Sequence, residues 1–148
     1  MVLVLMGVVV IGYWVSLQIR SAIVLAEGER FAVDVFQEMS DDSWSVDSIK
    51  RYSGRWLEYS SDVSPEEARE FFSSHGFVEK VGLLGDCDAV GVDLKGKNGT
   101  YVWVYCPVRV DFRDEYATFD VLVIWDGGLD RWFLYWIRSA EFHARRVE

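Results

Sequence analysis

The sequence predicts an α+β chain: an N-terminal transmembrane helix, then three helices packed on a curved four-stranded antiparallel sheet. Three observations carry this. Residues 2–19 hold no charged side chain. Apolar residues then recur at the 3.6-residue period of a helix until about Gly76. Beyond Gly76 the period falls to 2, the spacing of strands with one face buried. At 148 residues, 51% hydrophobic and 16% aromatic, the chain is one domain's worth of sequence and too apolar to stay disordered.

The run from Val2 to Ile19 would rise about 27 Å as a helix, enough for a thin hydrocarbon core. Tyr13, Trp14 and Arg20 stand at one end, as interfacial anchors do. Residues 1–21 are therefore expected to form a single transmembrane anchor in contact with lipid through residues 2–19. Residues 22–148 are expected to form the soluble domain. A signal peptide is the second reading, opposed by the lack of a basic segment ahead of the run; a buried core helix is the third. Arg20 and Arg30, placed after the run, favour a cytoplasmic soluble domain under the positive-inside rule, although long domains cross regardless of such charges.

Phe31, Val35 and Met39 form one apolar stripe on a helix over about 22–39, which can be continuous with the anchor and is ended by Asp41-Asp42-Ser43. A second helix is expected over 46–59, with Val46, Ile49, Ser53 and Trp56-Leu57 at helical spacing. Ser64-Pro65-Glu66-Glu67 places a serine cap, a proline at the first helical position and a glutamate at the third, a capping box. Ala68, Phe71 and Phe72 give that helix its apolar face, and His75-Gly76 ends it. Four strands follow over 89–94, 100–112, 116–125 and 131–142. Lys97-Asn98-Gly99 and Asp126-Gly127-Gly128 supply hairpin turns that need positive φ, and Arg113-Asp114-Glu115 a third turn.

Strand parity separates two faces. Val102, Val104, Cys106, Val108, Val110 and Phe112 form an unbroken apolar row to pack on the helices. The opposite face carries Tyr101, Trp103, Tyr105, Arg109 and Asp111, and Trp136 of the last strand is assigned to it as well. That face is too aromatic to be merely solvated, so Tyr101, Trp103, Tyr105, Trp136 and Arg109 are the candidate binding residues. Asp111 and Asp120, beside Tyr105 and Tyr116, are the residues an enzymatic pocket would use; the competing reading pairs them with Arg109 or Arg138. No catalytic residue is assigned.

All 24 acids and 14 of the 15 bases lie in residues 27–148, giving that part a formal charge of −10. Such a balance argues against a general nucleic-acid binder, which must neutralise phosphates. Phosphate-loop and dinucleotide glycine signatures are absent, so no cofactor is expected. No metal site is expected either, since Asp86-Cys87-Asp88 has no second ligand cluster. Cys87 and Cys106 are expected to form a disulfide, the alternative being two reduced thiols.

Three helices ahead of long hairpins resemble the nuclear transport factor 2-like (cystatin-like) cone superfamily over residues 24–142. The stretches that carry it are Ser64-Pro-Glu-Glu-Ala-Arg-Glu-Phe-Phe72 and Trp125-Asp-Gly-Gly-Leu-Asp-Arg-Trp-Phe-Leu-Tyr-Trp136. Members with a single anchor before the cone are bacterial envelope assembly components, including secretion-system bridging subunits. The resemblance implies a membrane-anchored, non-catalytic binding or scaffold domain in a membrane or envelope complex. It implies an extracytoplasmic (periplasmic) location and a protein partner or a homo-oligomer. The alternative is a small-molecule-binding or enzymatic cone with an Asp or Tyr in its pocket, since fold alone does not assign function.

Overall fold

The computed structural model describes residues 2–54, 64–96 and 99–144; for 2–10, 14, 16–21, 92–96, 99–100 and 139–140 it describes the backbone alone. The helices are α1 (Val2–Asp41), α2 (Val46–Ser53) and α3 (Pro65–His75). The strands are β1 (Val78–Leu83), β2 (Asp88–Gly96), β3 (Gly99–Phe112), β4 (Glu115–Asp126) and β5 (Arg131–Ala144).

Two expectations are corrected. The sheet has five strands among the described residues, not four, because β1 precedes the first expected strand. Val78-Glu-Lys-Val-Gly-Leu83 does not alternate, and a register shift between Val78 and Lys80 shows why: the bulge breaks period 2. The second correction concerns the transmembrane helix. Residues 2–21 are the first half of a 40-residue helix, continuous with the 22–39 stripe, that runs on through Glu27, Glu29, Arg30 and Asp34. Among the described residues no helix is long and apolar enough to cross a membrane.

All pairings are antiparallel, in the order β1-β3-β4-β5, with β2 also paired to β3. β1 pairs with one half of β3, from Val78↔Phe112 to Leu83↔Val108, and β2 with the other, from Asp88↔Tyr105 to Gly96↔Gly99. The two short strands therefore lie end to end along one edge of β3. Pro107 sits opposite the gap between them. Its carbonyl accepts the Leu84 N–H at 2.9 Å, so the N–H that proline lacks would also have faced this side. A proline in an inner strand is tolerated because the missing donor coincides with the interruption.

The apolar row of β3 is the core row. Val104, Cys106, Val108, Val110 and Phe112 are fully buried against Ala32, Val35, Phe36 and Met39 of α1, with Phe119, Val121 and Val123 of β4 alongside. Gly28 sets how closely the helix approaches. A Cβ there would lie 3.0 Å from Trp132 Cη2 and 3.1 Å from Val104 Cγ2, so only glycine fits without displacement. After α1 the chain reverses through Ser43 and Trp44, both at φ 54°, and folds the Trp44 ring into the core. That ring stacks on Phe72 at 4.7 Å and its Nε1 donates to the Gly76 carbonyl at 3.0 Å, tying α3 to the end of α1.

α2 stops at Ser53 rather than at 59, because Gly54 takes φ 54° against the Phe133 ring. The expected residues 55–59 of that helix lie outside the described residues, as does most of the Lys97-Asn98-Gly99 turn. α3 has the expected capping box. Ser64 Oγ accepts the Glu67 N–H, and the Glu67 carboxylate accepts the Ser64 N–H.

Candidate binding face

The second sheet face lies opposite α1. β3 contributes Tyr101, Trp103, Tyr105, Arg109 and Asp111 to it, all half-buried. The β3–β4 register brings Leu122 beside Tyr105, Asp120 beside Pro107, and Tyr116 beside Asp111. Trp136 joins them for a reason simple alternation misses. Counting by twos along β5 would put Trp136 with Trp132 and Leu134, both on the α1 side. A register shift after Leu134 instead pairs Trp136 with Leu122, which puts its ring on the aromatic face. The structure thus places all five sequence-derived binding residues on one face.

They divide into two neighbourhoods. At the β2 end the Tyr101 and Trp103 rings lie 6.3 Å apart, and Trp103 lies against Gly91. The Trp103 row continues into Ile124 and Phe133, which are buried, Phe133 against Gly54 at the end of α2. At the β1 end, Arg109 Nε donates to Asp111 Oδ1 at 2.7 Å, and its guanidinium lies 3.9 Å over the Tyr116 ring. The opposite neighbour of Tyr116 is His143, stacked at 4.9 Å, and Arg138 lies 5.6 Å from the Trp136 ring. Lys80, Gly82, Leu83, Arg109 and Asp111 line an open groove of about 390 Å³. Lys80 and Gly82 were missed by sequence reasoning because β1 was missed; only the β-branched Val78 and Val81 after Gly76 hinted at a strand.

The Tyr105 hydroxyl donates to Asp120. That bond raises the Tyr105 pKa, because the carboxylate stabilises the protonated phenol; partial desolvation and the charges of Asp120 and Asp88 push the same way. At neutral pH Tyr105 is a held donor rather than a base. Asp111 is occupied by Arg109. His75 is elsewhere: its Nδ1 meets the Glu115 carboxylate and its ring stacks on Phe142 at 4.1 Å, which docks the end of α3 on the sheet. Among the described residues no group of three or more His, Cys, Asp or Glu is arranged to hold a metal ion.

Cys87 and Cys106 are joined in a disulfide, with Cα atoms 4.5 Å apart. Both are buried on the core side, immediately beside the Asp88↔Tyr105 pair. The bond clamps the junction of β1 and β2 to β3 and so holds together the edge that carries Lys80 and Gly82. On the helix side, a smaller groove of about 250 Å³ is lined by Glu27, Arg30, Asp34 and Glu38 over the Phe31 and Trp132 rings, which stack at 6.4 Å. Compared with protein-family models, with curated proteins and with solved structures, the chain matches none.

Proposed function

We propose that this chain is a non-catalytic binding domain whose aromatic sheet face takes a protein partner. One observation carries the reading. Tyr101, Trp103 and Tyr105 of β3 and Trp136 of β5 stand half-buried on one face of the sheet, and the α1 helix packs on the other. Large rings partly exposed on one face bring much contact area for few rotamers, the composition of interface hot spots. Supporting it, the tyrosine and aspartates that an enzyme would use on this face are engaged in mutual bonds. The acidic balance of −9 disfavours nucleic acid as the partner. The buried disulfide supports residence in an oxidising compartment, where such bonds persist. The long helix across one face of an antiparallel sheet is compatible with the resemblance to the nuclear transport factor 2-like superfamily, which remains part of the proposal.

The test compares the full chain with Trp103→Ala and Trp136→Ala as baits in the source cells, with thermal melts of each purified variant. The reading expects loss of a stoichiometric protein partner with melts little changed. Unchanged partners in both variants, or loss of folding without a separable binding defect, would overturn it.

A further inference from the structure

We infer that the Lys80–Arg109 groove at the β1 end of this face receives the carboxylate of an acidic side chain on the partner protein, an inference that rests on the binding reading above. The space is open: a Cβ at Gly82 would meet nothing within 4 Å. The register sets Gly82 across from Arg109 and Lys80 across from Asp111, so both cations border the space above Gly82.

Arg109 is already held for recognition. Asp111 takes its Nε, and Tyr116 fixes the guanidinium plane from 3.9 Å, while the side chain keeps 42% of its exposure. Four of its five N–H donors remain beyond the Nε bond, in the planar fork that matches a carboxylate. Holding the fork in advance reduces the side-chain entropy lost on binding.

Charge selects the class of anion. Two cations and one carboxylate, Lys80, Arg109 and Asp111, leave a single positive charge at the groove. In a chain of net −9 that charge suits a monoanion. A phosphate dianion would leave one charge uncompensated at the groove. The half-buried Tyr105 and Trp136 lie on the same face, so an acidic residue flanked by apolar ones fits the whole surface.

The test titrates the purified full chain with three probes: a blocked peptide of apolar and aromatic residues around one glutamate, its glutamine counterpart, and sodium acetate, with sodium chloride as the ionic-strength control. Side-chain NMR signals of Arg109 and fluorescence anisotropy of the peptides report binding. The glutamate peptide should bind at least threefold tighter than the glutamine peptide, the size of an exposed charge-assisted contact. That preference should vanish in Lys80→Gln and in Arg109→Gln. Lys80 is exposed, so its variant keeps the test valid even where Arg109→Gln fails to fold. Equal affinity for the two peptides would overturn the carboxylate inference while leaving the face reading in place. Acetate binding without peptide binding would overturn it in favour of a free small carboxylate. An Arg109 response to chloride equal to that for acetate would overturn it outright.

Discussion

Breaking the Cys87–Cys106 bond should cost this domain about 3 kcal/mol. The bond closes a loop with a sequence separation of 19 residues. In the chain-entropy model a loop of that length removes about 11 cal/mol/K from the unfolded ensemble, or about 3 kcal/mol at 25 °C. Both sulfurs lie in the core, Cys106 fully buried and Cys87 3% exposed, so two effects must be separated. Reduction of the unaltered chain removes the cross-link but keeps the sulfur volume. The double variant Cys87→Ala/Cys106→Ala also removes two buried sulfurs, adding roughly 1 kcal/mol or more of lost packing. Alanine is preferred to serine because a hydroxyl at position 106 would be buried among Val104, Val108 and Val121. The assay is equilibrium denaturation of three species: oxidised, reduced and alanine-substituted. The expected order of stability is oxidised, then reduced about 3 kcal/mol lower, then the variant lower again. A reduced form within about 1 kcal/mol of the oxidised one would refute the reasoning. It would mean the β2–β3 hairpin already restricts the unfolded chain as much as the bond does.

Two further outcomes test the packing and the caps. Gly28→Ala gains about 1 kcal/mol of helix propensity but forces a methyl to 3.2 Å from Val104 Cβ, an atom fixed to its strand; overpacking at about 1–3 kcal/mol prevails. A melt should show net destabilisation, with Gly12→Ala, whose Cβ meets nothing within 4 Å, as the neutral or stabilising control. Ser64→Ala should cost about 1 kcal/mol at neutral pH through loss of the α3 cap. The same cap holds the Glu67 carboxyl below its ordinary pKa, chiefly through the Ser64 backbone N–H and then its hydroxyl. A depressed carboxyl stabilises the fold above the unfolded-state pKa, and that contribution is lost as pH falls through the folded value. The stability gap between the unaltered chain and Glu67→Gln should therefore close on acidification, as measured by denaturation at several pH values.

What the sequence made legible follows from how locally each feature is encoded. The α3 cap is four consecutive residues and reads directly, as does the even-numbered apolar row from Val102 to Phe112, where a 14-residue strand keeps strict alternation. Trp44 is the counter-example. Its burial depends on positive φ at Ser43 and at Trp44 itself, and on the Gly76 carbonyl 32 residues away, which no local pattern announces. The end of α2 was overrun for a related reason, since Gly54 terminates it in contact with Phe133 from the far end of the chain. The uncharged run at 2–19 suggests an anchor, because composition marks a segment's polarity but not where its helix stops. Here the backbone continues to Asp41, and its last third is the part that packs on the sheet.

The bulges decide how much of the site could be found. A period-2 reading assumes one residue per pleat, and each register shift breaks that assumption for everything beyond it. The shift after Val78 hid β1, and with it Lys80 and Gly82. Arg109 was consequently seen as a charge among aromatics rather than as one wall of a groove. A shift in β5 acts oppositely: it moves Trp136 off the α1 side and onto the face with Tyr105, Leu122 of β4 lying between the two rings. In both strands the irregular residue re-aims side chains toward the outer face. The β3–β4 ladder is regular, and the pairings of the edge strands β1 and β5 are not. These bulges collect Trp136 on one edge and Lys80 on the other around Tyr105 and Arg109, the face proposed above to take a partner.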